Sequence, residues 1–255
     1  MDAVRDLDDS LCLLNLYANL PSHRLFKIPP DRIETCQKLS REFNFMVMKS
    51  RSLKKVFLSI KGIYFQAEVE GQNVLWLQPH QFSQNLPYDV DYRVMLTFME
   101  FYETMMKFVL FKLYSNIDLE YPPSVLKDTV EEQAFSYNSI VYQTIEKSAE
   151  AKADEEKYKI DNEFHDDENV KKIMSKDAGA NGSQKGLFDN LVFFLSTEVP
   201  RTAFEFMILS FGGKALSDLD NFESAAYDDQ TITHVITDRP PQSLTLDPRR
   251  YIFSK

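Results

Sequence analysis

Three short apolar runs, separated by glycine-containing turns, stand out in the pattern of apolar and polar positions. They cover residues 56–60, 63–69 and 73–77. Runs of this length that are rich in β-branched and aromatic residues are typical of strands when turn residues bound them. We expect the second and third runs to pair as a hairpin around Gly71, because glycine readily adopts the positive φ that such a turn needs.

Longer stretches with apolar residues at every third or fourth position predict helices on both sides of these strands. Residues 3–20 form the first predicted helix and residues 30–49 form the second. A third follows the capping carboxylates of Asp89 and Asp91 and continues to about Asn116.

The third predicted helix is apolar almost all round. Its large apolar residues are Met95, Phe98, Met99, Phe101, Tyr102, Met105, Met106, Val109, Leu110 and Leu113. Such a helix is either central to a core or covered by a partner. Methionine and aromatic stripes are more often core, although methionine-rich faces also suit adaptable binding surfaces. We expect this helix to be the mechanical centre of its domain.

The composition divides the chain into three parts. Residues 1–145 form the first predicted domain, which ends in a weaker helical pattern over residues 128–145. Residues 146–186 are strongly charged and end in a Gly- and Ser-containing segment, which is typical of a linker. Residues 187–255 form a second predicted domain.

The second domain has the pattern of strand, helix, strand and strand. The strands are predicted at residues 191–195, 215–216 and 233–237, and the helix runs from Pro200 to Gly212. The predicted buried face of this helix comprises Ala203, Phe204, Met207, Ile208 and Phe211. This order implies a short parallel sheet with a covering helix. The predicted fold class is therefore α+β, with a helical N-terminal domain that contains a small sheet, followed by an α/β domain.

A cluster of cations contrasts with the net charge of −10 of the chain. The 13 residues from 49 to 61 contain no acid and five basic residues, namely Lys49, Arg51, Lys54, Lys55 and Lys61. One interpretation is a solvated strand edge, which lysine often protects from pairing with another strand. The other is a surface that contacts nucleic-acid phosphates through a local positive field. Composition leaves both open.

Motifs of enzymes, metal sites and membrane segments are missing from the sequence. No P-loop, Gly-x-Ser-x-Gly or His-Glu-x-x-His motif occurs. Cys12 and Cys36 match no zinc spacing, and we expect both to pack in the core. No uncharged apolar run reaches about 18 residues, the length that a membrane span needs. We therefore predict a binding protein that needs no cofactor or metal.

Two parts of the chain resemble known domains. Residues 5–9 (RDLDD), 50–64 (SRSLKKVFLSIKGIY) and 89–95 (DVDYRVM) look like the N-terminal domain of the pescadillo family. Residues 187–194 (LFDNLVFF) and 233–238 (THVITD), with the Gly-Gly pair after the intervening helix, resemble a BRCT domain. The order of pescadillo-type domain, acidic linker and BRCT domain is that of the family.

The resemblance implies a nucleolar and nucleoplasmic assembly factor of the large ribosomal subunit. Members of the family support pre-rRNA processing in a complex with two WD-repeat proteins and are not known as catalysts. In this context, contact with rRNA phosphates becomes the leading interpretation of the cation cluster. Phe57, Tyr64 and Phe65 lie among the cations and suit stacking on unpaired bases.

The alternative function is a phosphopeptide-binding adaptor, since some BRCT domains hold a phosphoserine. Ser196 and Thr197 match the position of the phosphate-binding hydroxyl, but Glu198 stands where a small residue would help, and its charge would repel phosphate. The family also has a basic segment before the position of Met1, a basic tail, and a final BRCT helix that carries a tryptophan. Because the only tryptophan is Trp76, we expect this sequence to be part of a longer protein.

Overall fold

A computed structural model describes residues 6–22, 28–80, 86–125, 137, 140–141, 186–217, 231–239 and 251–253. The helices are α1 (Leu7–Asn19), α2 (Pro30–Ser50), α3 (Tyr92–Asn116) and α4 (Arg201–Ser210). The strands are β1 (Leu53–Ser59), β2 (Gly62–Val69), β3 (Gln72–Pro79), β4 (Ser124–Val125), β5 (Ile140–Val141), β6 (Val192–Leu195), β7 (Lys214–Ser217), β8 (His234–Ile236) and β9 (Tyr251–Phe253). The predicted α+β fold class, with an antiparallel sheet followed by a parallel sheet, is confirmed.

The antiparallel sheet has the strand order β1-β2-β3. Between β2 and β3, Glu70 and Gly71 both have positive φ, at 49° and 74°. This pair of angles is typical of the tight turn that matches the twist of paired strands, so the hairpin predicted at Gly71 is confirmed. On the inner face, Trp76 meets Phe43 of α2 edge to face, with ring centroids 5.2 Å apart.

Helices α1, α2 and α3 pack against this inner face around one core. The side chain of Asp91 accepts a hydrogen bond of 3.0 Å from the backbone N–H of Arg93, which confirms the predicted cap of α3. Cys36 of α2 is fully buried, with its Sγ 3.4 Å from the Sδ of Met99 in α3. The core therefore has the helices on one side and the sheet on the other.

Helix α3 has a buried side and an exposed side. Met99, Met106 and Leu110 are fully buried. The four exposed phenylalanines of the helix are Phe98, Phe101, Phe108 and Phe111. The prediction of a core helix is therefore correct for one side, and the alternative of a binding surface stays open for the other. Within the described ranges, no helix has the length and hydropathy that a membrane span requires.

The parallel sheet has the strand order β7-β6-β8-β9. All three pairings in it are parallel. Helix α4 connects β6 to β7 and packs on the sheet through Ile208, which lies in one cluster with Phe193 and Ala215. The predicted parallel sheet with a covering helix is confirmed.

Helix α4 buries a second face that the sequence did not indicate. Phe206 is fully buried and belongs to the core of the antiparallel sheet and helices α1–α3, together with Ala203 and Phe211. The predicted single face did not include Phe206. The helix contacts two layers at once, so nearly its whole circumference carries buried residues.

Two further predictions differ from the structure. Ile140–Val141, predicted as helical, pairs antiparallel with Ser124–Val125. Two successive β-branched residues favour this extended pairing. Cys12 is exposed rather than buried, because the buried positions of α1 recur at Leu7, Leu11 and Leu14 and position 12 falls beside them. The predicted linker, residues 146–186, lies almost entirely outside the described residues.

Candidate nucleic-acid interface

The C-terminal end of α2 presents the first cations of the cluster. Arg51 follows the helix in the left-handed conformation, with φ 49° and ψ 41°. Backbone hydrogen bonds of 3.2 Å from Arg51 and Ser52 to the last turn close the helix as a Schellman motif, in which glycine is usual at this position. The ammonium of Lys49 lies 5.2 Å from the ring centroid of Phe45. Both cations are favoured at a helix C-terminus by the helix dipole.

Two cations of the cluster already have acidic partners. Lys54 forms an ion pair with Glu68 on the neighbouring strand β2. The Nη1 of Arg51 lies 3.9 Å from the Oδ1 of Asp189, and about half of each side chain is exposed. Such solvent-exposed pairs contribute little free energy, but they reduce the net positive charge that these side chains offer to a ligand.

Lys55 and Lys61 carry the uncompensated charge. Both are exposed, and neither forms an ion pair with a residue in the described part of the chain. The register between β1 and β2 shifts between Leu53 and Lys55, so Lys54 occupies a bulge and Lys55 lies opposite Gln66. Lys61 lies in the turn that joins β1 to β2. These two lysines are therefore better placed than Lys54 to contact an external anion.

A stacked aromatic pair, with Phe57 exposed and Tyr64 half-buried, lies between the two lysines. Phe57 of β1 and Tyr64 of β2 face each other in the register, and their rings stack at 4.7 Å with an interplanar angle of 3°. Phe57 is 51% exposed. Because alternate residues of a strand share a face, Lys55 and Phe57 point to the same side of the sheet, about 7 Å apart along β1. Phe65, which the sequence placed with this group, is instead fully buried on the opposite face.

Strand β1 forms the outer edge of its sheet and carries further exposed apolar side chains. Leu58 is 75% exposed and Ile60 at its end is 97% exposed. At the other edge, the backbone N–H of Leu75 in β3 donates a 3.0 Å hydrogen bond to Asp8 of α1, so that edge is covered. Exposed Leu and Ile do not protect an edge strand from contact with another molecule. Their presence favours the interpretation of β1 as a binding surface.

The hydroxyl considered for phosphate binding already has an anionic partner. Ser196 donates a hydrogen bond to one carboxylate oxygen of Glu198, and the Nε of Arg239 donates to the other at 2.6 Å. These contacts, the serine bond first, lower the pKa of Glu198 to about 2. Thr197 is exposed beside them. The sequence predicted the charge conflict at Glu198 but not Arg239, which lies far along the chain and has no motif around it.

Comparison with known proteins identifies the family. The family model described as Pescadillo N-terminus matches residues 1–162, more than half of the chain. The chain belongs to the pescadillo family. A Pescadillo homolog from Nematostella vectensis is 41% identical over 270 residues, covering 99% of this chain and 51% of that protein.

Other members of the pescadillo family match over the same extent. A Pescadillo homolog from Xenopus laevis is 41% identical over 273 residues, covering 99% of this chain and 46% of that protein. One from Laccaria bicolor is 39% identical over 285 residues, covering 94% of this chain and 46% of that protein. The similarity therefore includes the parallel sheet as well as the first domain. The chain spans about half the length of these pescadillo-family relatives.

Within the described residues, no group of three or more His, Cys, Asp or Glu side chains is arranged to hold a metal ion. The candidate site of this pescadillo-family chain is instead the exposed side of β1. We name Lys55, Phe57, Tyr64 and Lys61 the β1 platform.

Proposed function

We propose that this chain is a non-catalytic scaffold in assembly of the large ribosomal subunit and that the β1 platform binds pre-rRNA. Membership of the pescadillo family supports the assembly role. The observation that carries the RNA proposal is the stacked Phe57–Tyr64 pair, which has on either side a lysine that forms no ion pair with any described residue.

The platform matches the chemistry of RNA that is not fully paired. Phosphates attract lysines, and each lysine contact contributes a salt-dependent term. An exposed aromatic ring stacks on a splayed base and contributes about 1–3 kcal/mol per base. Because the chain carries a net charge of −10, long-range attraction to RNA is weak. The favourable field must therefore be local, within a Debye length of about 8–10 Å.

The remaining parts of the proposal follow from the family. The scaffold acts in the nucleolus and nucleoplasm, beside two WD-repeat proteins and other pre-ribosomal proteins. The β1 platform supplies RNA contact, while other surfaces of the chain hold protein partners. A BRCT-type role for the parallel sheet belongs to this second group, as a docking unit that does not depend on phosphate.

The test measures RNA affinity of the whole chain against salt. The probes are transcribed fragments that tile the large-subunit precursor rRNA, measured by filter binding between about 50 and 200 mM salt. We expect Lys55→Gln with Lys61→Gln to lower affinity and to reduce the salt slope by about 1.4, since each contact with single-stranded RNA contributes about 0.7. Phe57→Leu should lower affinity without changing the slope, because it removes stacking but no charge.

The matched control is Lys214→Gln, which removes an exposed lysine from strand β7 of the other sheet. It should bind RNA as the wild-type chain does. Unchanged affinity and salt slope in the Lys55/Lys61 double variant would show that β1 is a solvated edge and would overturn the proposal.

A further inference from the structure

The side of α3 that faces away from the core is a large apolar surface. Phe98, Phe101, Phe108 and Phe111 are 58%, 67%, 73% and 61% exposed, and Val94 is 54% exposed. Phenylalanine is among the residues most often buried. The exposed area of these rings is on the order of 500 Å², which reaches the upper range for the largest apolar patch of a monomer. A patch of this size marks an interaction site.

The spacing of these residues is that of a helix–helix seam. Val94, Phe98, Phe101, Met105 and Phe108 follow each other at intervals of four, three, four and three residues. Met105 is half-buried and also packs against the core, whereas the other four are exposed. This 3.5-residue period places them in one line, about 21 Å long at 1.5 Å per residue. A second helix fits its side chains between such ridges. An extended strand is a poorer fit, because a helix surface offers no backbone edge for it to pair with.

Among the described residues, the charges around this line are paired within the chain, with the exception of Lys112. The paired charges are Arg93 with Asp91 at 3.4 Å, Arg32 with Glu100 at 2.7 Å, and Lys107 with Glu103 at 2.7 Å. Lys112 is exposed and forms no ion pair with any residue in the described ranges. It follows Phe108 by four residues and continues the same line. A carboxylate on the partner would complement this single charge.

We propose that Val94, Phe98, Phe101, Met105, Phe108 and Lys112, the α3 stripe, dock an amphipathic helix of a partner protein. The partner helix has apolar residues at the same 3.5-residue period and a Glu or Asp opposite Lys112. A second copy of this chain fits less well, since parallel pairing would oppose the two Lys112 side chains. The apolar area also falls below the roughly 800 Å² per partner of a standard interface.

The α3 stripe does not depend on the RNA proposal, because it lies on α3 and shares no residue with the β1 platform. The two can therefore fail separately. A helix bound at the α3 stripe would belong to one of the protein partners that the scaffold holds.

The experiment selects helical peptides against the full 255-residue chain. The probe is a phage-displayed library of 25-residue peptides with leucine fixed at the two seam positions of each heptad and Glu, Lys or Gln varied at the flanking positions. A second library has the same composition in scrambled order. We expect enrichment from the first library only, with Glu selected at the flanks near one end.

Variants of the chain identify the surface. Phe101→Ser with Phe108→Ser should weaken binding of the selected peptide at least tenfold and leave the melting temperature unchanged. Leu58→Ser, an exposed apolar residue of β1, is the matched control and should bind normally. Lys112→Glu should weaken the Glu-flanked peptide and strengthen its Lys-flanked counterpart.

Four results would overturn the inference. The first is that no peptide is enriched, or that the Phe101/Phe108 variant binds the enriched peptides as tightly as the wild-type chain. The second is that Lys112→Glu leaves the charge preference unchanged. The third is dimerisation of the chain that the Phe101/Phe108 variant abolishes. The fourth is peptide binding that appears only when residues 142–185 are replaced by a Gly/Ser linker, because that segment would then be the occupant.

Discussion

Phe206 of α4 meets Phe65 of β2 edge to face, with ring centroids 5.0 Å apart and an interplanar angle of 78°. This contact joins the helix that covers the parallel sheet to the inner face of the antiparallel sheet. The ring of Phe206 also lies 6.3 Å from that of Trp76 and 6.0 Å from that of Tyr137. The backbone N–H of Tyr137 donates a 3.0 Å hydrogen bond to the buried Glu205, next to Phe206. The two sheets are thus coupled through one helix.

Truncation of Phe206 should therefore destabilise both sheets. Phe206→Ala removes a fully buried ring, and we expect the free energy of unfolding to fall by about 3–5 kcal/mol. Chemical denaturation of the full chain measures it. Phe253→Ala, at a residue that is 57% exposed, is the control and should change stability by less than about 1 kcal/mol. Equal effects of the two substitutions would contradict a shared core.

Two substitutions of Arg51 can separate the effect of its charge from the effect of its left-handed backbone conformation. Arg51→Gly should raise the free energy of unfolding by up to about 1 kcal/mol, since a non-glycine residue pays roughly 1–2 kcal/mol in the left-handed region. The exposed pair with Asp189 that is lost contributes at most about 1 kcal/mol. Arg51→Ala loses the same charge but keeps a non-glycine residue in the left-handed region, so it should not gain this stability.

Both Arg51 variants should lower RNA affinity equally if the guanidinium contacts phosphate. Equal affinity of both variants and the wild-type chain would show that Arg51 serves only the ion pair with Asp189. A lower stability of Arg51→Gly than of Arg51→Ala would show that the left-handed position is not strained.

Glu42 should make the stability of the chain depend on pH. This side chain of α2 is buried, with Tyr121 donating a 2.8 Å hydrogen bond to it and the Lys38 ammonium 3.9 Å away. Burial raises the pKa of Glu42 above its usual 4.5. The folded state therefore binds this proton more tightly than the unfolded state, and the stabilisation is lost as pH rises through the raised pKa.

Glu42→Gln removes this titration while keeping an acceptor for Tyr121. We expect the difference in unfolding free energy between the variant and the wild-type chain to grow in favour of the variant as pH rises above about 4.5. Denaturant titrations at several pH values measure that difference. A difference that is constant with pH would contradict the raised pKa.

The sequence predicted correctly those helices, strands and turns that are determined by residues close together in the chain. The hairpin follows from Gly71, the start of α3 from the Asp91 cap, and the bounds of α2 from Pro30 and an apolar face of helical period. In each case a few neighbouring residues determine the conformation, so the element can be predicted from the sequence alone.

Features that depend on how elements dock could not be predicted in the same way. Phe206 is buried because α4 lies between two layers, and periodicity along α4 reports only that it has apolar residues. Likewise, the alternation of side chains along a strand would place Lys54 and Lys55 on opposite faces, but a bulge in the β1 register decides which one is exposed. The Phe57–Tyr64 stack depends on the same register.

The last prediction concerns the carboxylate of Glu198, which contacts Ser196 and Arg239 just after β6. Because the pKa of Glu198 is about 2, its carboxylate stays charged at physiological pH and accepts hydrogen bonds from the Ser196 hydroxyl and the Nε of Arg239. The full chain should therefore bind phosphoserine peptides and their unphosphorylated forms equally well. Glu198→Gln frees these donors and should give a measurable preference for the phosphorylated peptide in fluorescence anisotropy, which Arg239→Gln in the same variant should abolish. A clear phosphate-dependent gain in the wild-type chain would show instead that Glu198 yields to phosphate and that the phosphopeptide-adaptor function is correct.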